Sequence, residues 1–204
     1  MKQKKVAVMI YDNYCNFEFA ILLEALFLEG VKIDIFGVEK KHYRSEEGIL
    51  TMAEQAIVDC DVDAYDALIL TGAMDEKFEV MHNEALLKIV REFDAKKKVI
   101  GAISIGPLIL LKSGIMKERP FMCGASKEGL IEEGFTMEDM KDMLEWETCE
   151  KEYDTLKYVC SDNVITSVCY GYREWAMKIC EMIEVKIYPM SYGLNRDWKK
   201  NIQD

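Results

Sequence analysis

The sequence lacks any pair of cysteines in C-x-x-C spacing, although it contains seven cysteines, at positions 15, 60, 123, 149, 160, 169 and 180. A disulfide framework or a structural zinc site would need an even or closely spaced set, so neither is expected. Several of these cysteines lie in apolar runs, where a thiol behaves as a small hydrophobic group. We expect free thiols in a reducing, cytoplasmic environment, with no metal and no cofactor.

The sequence also lacks a basic stripe, since its formal net charge is −11. Nucleic acids and anionic membranes attract clustered lysine and arginine, so neither is an expected partner. Long apolar runs are missing too: none reaches the roughly 20 residues that a membrane helix needs. From the pattern of the first residues we expect no secretory leader. We therefore expect a soluble protein.

Strand and helix patterns alternate along the 204 residues. Continuous apolar runs predict buried strands, and apolar residues three and four apart predict amphipathic helices. The predicted strands cover 6–10, 31–38, 67–70 and 99–103, and the predicted helices cover 16–29, 84–96, 105–113 and 174–183. Asn13 or Asn16 can cap the first helix and Asn83 the second. The alternation predicts one α/β domain, residues 1–204, with a mostly parallel sheet covered by helices on both faces.

Other stretches have weaker patterns. Residues 40–60 predict a hairpin or an irregular crossover, and the segment after Pro189 predicts a short terminal helix. Between 115 and 155 we expect a short strand at 120–123 and helices at 126–133 and 138–146. Residues 158–160 and 164–168, separated by Ser-Asp-Asn, predict a β-hairpin.

The most informative stretch is KVIGAISIGP, residues 98–107. A buried strand ends abruptly at Ser104, and Gly-Pro and a second apolar pattern follow at once. This is the form of a strand–nucleophile–helix elbow, in which the turn presents one side chain above the sheet and the helix directs free N–H groups at it. Ser104 is either a reactive nucleophile or a small residue kept because little else fits the turn.

Two other loops, residues 11–18 and 71–75, also follow predicted strands. Ligands bind beyond the carboxyl ends of parallel strands, so these loops and residues 104–107 should converge on one crevice. Glu18 is either a functional carboxylate or a favourable acid in the first turn of a helix. The chain has two histidines, His42 and His82, which we expect to be solvated.

Several segments, taken in order, resemble the ThiJ/PfpI superfamily, which has the class I glutamine amidotransferase-like fold. Glu18 and Gly30 precede the strand VKIDIFG, and YDALILTGAMD stands where the family has a strand ending in a Pro-Gly-Gly-type loop. VIGAISIGPLILLKSGI resembles the nucleophile segment A-x-C-x-G-P and its apolar helix. DNVITSVCYGYREWAMKICEMI resembles the last strand, turn and C-terminal helix. The similarity extends from residue 4 to about residue 184.

The resemblance implies a flavodoxin-like three-layer sandwich, usually a homodimer, and an intracellular protease or amidase type of hydrolase that acts on a small carbonyl or amide substrate. By position, Ser104 takes the place of the nucleophile and Glu18 that of the assisting carboxylate. The backbone N–H groups of Ala73 and Ile105 take the place of the oxyanion hole. The remaining pocket-lining candidates are Asp12, Gly72, Cys123 and Tyr170.

The chain departs from the family's pattern in two ways. Ser104 stands in the place of cysteine, and a hydroxyl needs an adjacent base more than a thiol does. The histidine that many members carry after the nucleophile has no counterpart around Met122-Cys123-Gly124. A carboxylate is a weak base for a hydroxyl unless burial raises its pKa. Two main hypotheses follow: a hydrolase in which Glu18 activates Ser104, or a catalytically disabled member that binds a small metabolite or a protein partner in the same crevice. A third hypothesis is thiol redox sensing through Cys123 or Cys15.

Overall fold

The computed structural model describes residues 3–74, 78–195 and 197–201. Its strands are β1 (Lys5–Met9), β2 (Lys32–Gly37), β3 (His42–Arg44), β4 (Leu50–Met52), β5 (Gln55–Ala56), β6 (Ala67–Leu70), β7 (Val99–Ile103), β8 (Phe121–Met122), β9 (Met143–Leu144), β10 (Val159–Ser161) and β11 (Val164–Ser167). Within this part of the chain, a central seven-stranded sheet has the order β10-β11-β7-β6-β1-β2-β5. Its neighbours pair in parallel, except that β10 is antiparallel to β11.

Helices cover this sheet. They are α1 (Phe17–Leu28), α2 (Glu84–Ala95), α3 (Pro107–Ser113), α4 (Lys127–Glu132), α5 (Trp146–Lys151) and α6 (Tyr172–Met182). Helix α1 packs against α6, and α2 packs against α3. The mostly parallel, flavodoxin-like α/β fold is therefore confirmed. No helix in the described ranges combines the length and the apolar character needed to cross a membrane.

The core lies on both faces of β1, β6 and β7. Val6–Met9, all of β6 and all of β7 are buried, because helices lie over both faces of a parallel sheet and leave no solvated side. This explains why these strands appear in the sequence as unbroken apolar runs. Gly101 in β7 leaves room for α6: a Cβ there would come within 2.5 Å of Cδ1 of Ile179.

Two small sheets lie beside the central one. Strands β3 and β4 form an antiparallel hairpin, which confirms the hairpin alternative for residues 40–60. Strands β8 and β9 pair in parallel. The predicted hairpin of residues 158–168 is also confirmed, as β10 and β11. After Pro189 the chain forms short 3-10 helices, Pro189–Tyr192 and Trp198–Asn201.

The predicted helix over 138–146 is wrong. Methionines at 137, 140 and 143 have helical spacing, but strand pairing takes part of the segment: the N–H groups of Phe121 and Cys123 donate to the carbonyls of Asp142 and Leu144. Upstream, the Asp139 carboxylate closes a turn by accepting from the amide and hydroxyl of Thr136. A helix, α5, begins only at Trp146.

The prediction that an asparagine side chain caps α1 is also wrong. Asn16 stands at the cap position but makes no side-chain capping hydrogen bond. The Glu47 carboxylate, from the β3–β4 hairpin, accepts instead from the backbone N–H groups of Asn16 and Phe17, at 3.2 and 3.0 Å. The predicted cap of α2 is confirmed, since the Asn83 side chain accepts from the N–H of Leu86.

Candidate functional site

The site lies where β1, β6 and β7 end. These strands are neighbours in the parallel sheet, so their carboxyl ends meet at one edge. The loop after β1 contacts the loop after β6, because the Tyr11 hydroxyl donates to the carbonyl of Thr71. The N–H of Cys15 also donates to the carbonyl of Gly72, at 2.9 Å. Asp75, at the end of the second predicted loop, lies outside the described residues.

The turn after β7 holds Ser104 in a left-handed backbone conformation, with φ 61°. A non-glycine residue in this region is strained by roughly 1–3 kcal/mol and stays there only when its surroundings fix it. Two hydrogen bonds do so: the N–H of Ser104 donates to Ser167, and its carbonyl accepts from the N–H of Gly124, both at 2.8 Å. The side chain of Ser104 is half-buried rather than sealed. The predicted elbow therefore has the strained geometry of a nucleophile turn.

Glu18 brings a carboxylate to the elbow from the first turn of α1. It is only 3% exposed. Its Oε2 accepts from the N–H of Gly72 at 3.1 Å, and the side chain of Ser104 lies close to the same carboxylate. Burial raises the pKa of Glu18 to about 7, against the opposing effect of Ser104 and of the Gly72 N–H, which lower it. This meets the condition under which a carboxylate can act as a base for a hydroxyl.

Glu18 and Ser104 approach each other so closely around position 72 that only glycine fits there. A Cβ at position 72 would stand 2.3 Å from Oε2 of Glu18 and 2.5 Å from Cβ of Ser104. Gly106 is just as confined, since a Cβ there would lie 2.8 Å from the carbonyl oxygen of Thr71. Glycine at these positions lets the loops after β6 and β7 approach closely enough for Glu18 to reach Ser104.

The predicted oxyanion-hole amides belong to Ala73 and Ile105. Ala73 directly follows Gly72, and Ile105 directly follows Ser104. Both residues are buried. Within the described residues, neither N–H donates to a backbone carbonyl. Free amides beside a nucleophile can stabilise a developing oxyanion. Their role as an oxyanion hole remains a prediction.

Two thiols lie close to Glu18, a proximity that the sequence analysis did not predict. Cys15 lies close enough to the Glu18 carboxylate for each group to affect the pKa of the other. Burial, reinforced by the charge of Glu18, raises the pKa of Cys15 strongly and also that of Cys169. Both groups therefore remain thiols at neutral pH, which makes them poor nucleophiles. The sequence signal was their position, since Cys15 stands in the loop after β1 and Cys169 stands just after β11.

A small cluster of possible metal ligands adjoins this network. The ligand atoms of Cys15, Glu46 and Glu47 lie within 4.8 Å of one another. Glu47 already accepts from the N-terminal amides of α1. Glu46 also raises the pKa of Glu18 through its negative charge. The sequence analysis, which considered cysteine spacing alone, did not identify this group.

The other predicted pocket residues lie at different places. Cys123 is fully buried in the loop that supports the elbow through Gly124. The hydroxyl of Tyr170 donates to the carbonyls of Cys149 and Leu156, at 2.6 and 3.1 Å. Its ring packs edge-on against Tyr153. The polar group of Tyr170 is thus engaged with α5 and the segment after it, and a pocket role for this residue stays a prediction.

A cleft of about 570 Å³ opens beside the elbow, on the Ala73 side. Asp12 and Ala73 are among its lining residues, together with residues of the β3–β4 hairpin and of the segment before α2. His82 lines it too, whereas His42 lies exposed in β3. The described residues that line the cleft do not include Ser104 or Glu18. The loops after β1 and β6 therefore contribute to a cleft as predicted, but the elbow residues Ser104 and Glu18 lie beside that cleft rather than in its lining.

Comparison with known proteins places this arrangement in a family. A model described as the DJ-1/PfpI family matches residues 4–182. An uncharacterized protein of Methanocaldococcus jannaschii is 30% identical over 120 residues, which cover 57% of this chain and 58% of that protein. A deglycase of Thermococcus kodakarensis is 25% identical over 115 residues, which cover 56% of this chain and 69% of that enzyme.

The solved structures agree at the level of the fold. The crystal structure of a DJ-1 superfamily protein from Agrobacterium tumefaciens matches with a TM-score of 0.75 and 16% identity, covering 94% of this chain and 95% of that one. The matched family segment includes β1, the Glu18 helix, the Gly72 loop and the Ser104 elbow. The chain therefore belongs to the DJ-1/PfpI family.

Proposed function

We propose that the protein is a hydrolase of small carbonyl or amide compounds, with Ser104 as nucleophile and Glu18 as its general base. The observation that carries this proposal is the position of the Ser104 hydroxyl beside a buried carboxyl group whose pKa is raised to about 7. A base with a pKa near the working pH is well matched to proton transfer. The name of the Thermococcus kodakarensis relative, a deglycase, supports a carbonyl-directed activity.

The proposed reaction begins with attack on the substrate carbonyl. As the Ser104 Oγ forms a bond to the carbonyl carbon, its proton passes to the Glu18 carboxylate, and the carbonyl π electrons move onto the oxygen. The N–H groups of Ala73 and Ile105 stabilise that oxyanion. In an ester or amide substrate, Glu18 then returns the proton to the leaving alkoxide or amine, which departs and leaves an acyl-serine, whereas a glyoxal, which has no leaving group, forms only a reversible adduct at this step. Water, deprotonated by Glu18, releases the acyl group and restores the Ser104 hydroxyl.

The test is a survey of small esters, amides and glyoxals with the wild-type protein, Ser104→Ala, Ser104→Cys and the control Ser191→Ala, which changes an exposed serine. We expect Ser104→Ala to lose at least about 100-fold in kcat, because the nucleophile is removed. The control should keep full activity. Turnover that is unchanged in Ser104→Ala excludes Ser104 as the nucleophile.

A second candidate is a catalytically disabled member that binds a small molecule without converting it. The neighbouring cleft of about 570 Å³, which has the size of a ligand pocket, favours this reading. So does the elbow serine, which has no histidine partner in the family's position. Turnover that appears only in Ser104→Cys would identify this case, because the substitution restores the thiol that the family resemblance implies.

We also propose that the protein is a cytoplasmic homodimer, as the family resemblance implies. Light scattering coupled to size-exclusion chromatography tests the assembly. A homodimer has twice the 23.6 kDa mass of the chain. A single species at the chain mass, across micromolar concentrations, contradicts the dimer.

A further inference from the structure

The cleft beside Ala73 has walls made of aromatic rings. Tyr11, Tyr43 and Phe78 all line it, and each is at most 5% exposed. The rings of Tyr11 and Phe78 meet edge-on, with their centroids 4.7 Å apart. Its volume of about 570 Å³ lies within the range of pockets that hold small ligands.

These walls are fixed in place before any ligand arrives. The Tyr11 hydroxyl donates to the carbonyl of Thr71. The Tyr43 hydroxyl accepts from the N–H of Glu39 at 2.9 Å and donates to the carbonyl of Glu39 at 3.1 Å. Since both phenol groups are already engaged, the small accessible parts of these rings add apolar surface to the cleft rather than hydrogen bonds. Because these side chains are already ordered, ligand binding here costs little additional conformational entropy.

Among the described residues that line the cleft, most of the charged side chains are negative. Lys41 is already paired: its Nζ lies 3.7 Å from the Asp12 carboxylate and 4.9 Å from the ring centroid of Tyr43. Glu39 and Glu79 also line the cleft, and neither forms an ion pair with another described residue.

We propose that this cleft binds a small organic cation, an ammonium or guanidinium compound with an aromatic or alkyl body. The body packs on the rings of Tyr11 and Phe78, and the charge lies toward Glu39 and Glu79. Aromatic faces and carboxylates both attract a cation, whereas an anion of the same size meets the two unpaired carboxylates. That this cation is also the substrate rests on the proposed function, because Ala73 joins the cleft to the elbow; the binding itself does not.

The test uses three probes of matched size: phenethylammonium, the neutral phenethyl alcohol and the anionic 3-phenylpropionate. Binding is followed by amide chemical shifts of the ¹⁵N-labelled Ser104→Ala protein, which cannot turn the probes over at residue 104. We expect phenethylammonium to bind at least about fivefold more tightly than 3-phenylpropionate, with shifts at Ala73 and Val80, and more weakly as salt increases. Equal or tighter binding of 3-phenylpropionate overturns the proposal.

Two substitutions test the role of the carboxylates. Glu39→Gln and Glu79→Gln should each weaken phenethylammonium about two- to fivefold, the range for partly solvated charge pairs, and leave phenethyl alcohol unchanged. The control Glu132→Gln removes an exposed carboxylate of α4 that does not line the cleft, and it should have no effect. Unchanged phenethylammonium binding in the Glu39→Gln, Glu79→Gln double variant contradicts the proposal.

Failure of the cation-binding proposal can be told apart from failure of the proposed hydrolase function. Cation binding in a protein that hydrolyses no ester, amide or glyoxal leaves the cleft proposal standing and removes the hydrolase. Ser104-dependent turnover without selective cation binding supports the hydrolase and removes the cleft proposal.

Discussion

At the scale of single residues, Glu18 is the group whose chemistry depends most on the fold. In the sequence it is one of many acids, and its position in the first turn of a helix fits a structural role equally well. The structure buries it to 3% exposure and surrounds it with Gly72, Ser104 and Cys15. Burial of the Glu18 carboxyl group raises its pKa, and the sequence alone did not predict that burial.

The raised pKa of Glu18 makes a prediction about stability. A carboxyl whose pKa rises from its ordinary 4.5 to about 7 on folding binds protons more tightly in the folded state. Its ionisation therefore lowers the free energy of unfolding progressively between pH 4.5 and 7, by about 3 kcal/mol in total. Below pH 4.5 this cost is absent, and above pH 7 it is complete.

Urea unfolding of the wild type and Glu18→Gln at pH 5 and pH 8 measures this effect. Relative to Glu18→Gln, the wild type should lose roughly 2–3 kcal/mol on going from pH 5 to pH 8. The exposed-site control Glu132→Gln should follow the wild type. Parallel pH dependence in wild type and Glu18→Gln means that Glu18 ionises normally in the folded protein.

The sequence predicted the position of a single residue correctly where a local pattern determines that position. Ser104 was recognised as an elbow residue because a buried strand stops abruptly before Gly-Pro. The engaged hydroxyl of Tyr170 and the contact of Cys15 with Glu18 depend on segments far apart in the chain. No local pattern encodes such partners.

At the scale of secondary-structure elements, the β3–β4 hairpin supports the site from outside. Its Glu47 carboxylate caps α1, the helix that carries Glu18. Partial burial opposes ionisation, but hydrogen bonds from the Ser45 hydroxyl and from the α1 amides lower the pKa of Glu47. The hairpin thus fixes the N-terminus of the helix that delivers the proposed base.

Removing this cap should weaken α1. We expect Glu47→Ala to lower the free energy of unfolding by about 1 kcal/mol, because two N-terminal amides lose a charged acceptor. Urea denaturation of Glu47→Ala beside Glu54→Ala, an exposed acid after the same hairpin, provides the measurement. Equal stability of both variants and the wild type contradicts a capping role for Glu47.

The elements that sequence reasoning missed are those in which a distant partner overrides local propensity. The cap of α1 comes from residue 47 rather than from a neighbouring asparagine. Residues 143–144 pair with β8 in spite of a helical methionine spacing. The strands β1, β6 and β7 were recognised almost to their ends, because both faces of each are buried and the apolar signal is continuous.

At the scale of the whole molecule, the order of the sheet creates the candidate site. Strands β1, β6 and β7 are adjacent and parallel, so the helix of Glu18, the loop of Gly72 and the elbow of Ser104 meet at one edge. The sequence predicted this meeting from alternation alone. The sequence did not predict that the cleft would lie beside the elbow. The cleft is formed by the packing of the β3–β4 hairpin and of the segment before α2, and no local sequence pattern encodes that packing.

The central claim is that Glu18 and Ser104 act as one base–nucleophile pair. A fluorophosphonate tests it most directly, because attack by the Ser104 Oγ on phosphorus expels fluoride and adds a fixed mass to residue 104. Intact-mass and peptide mass spectrometry should find this adduct in the wild type, forming faster as the pH rises through about 7. It should be lost in Ser104→Ala and slowed at least about 100-fold in Glu18→Gln. Absence of the adduct, or labelling at the same rate in Glu18→Gln, contradicts the account.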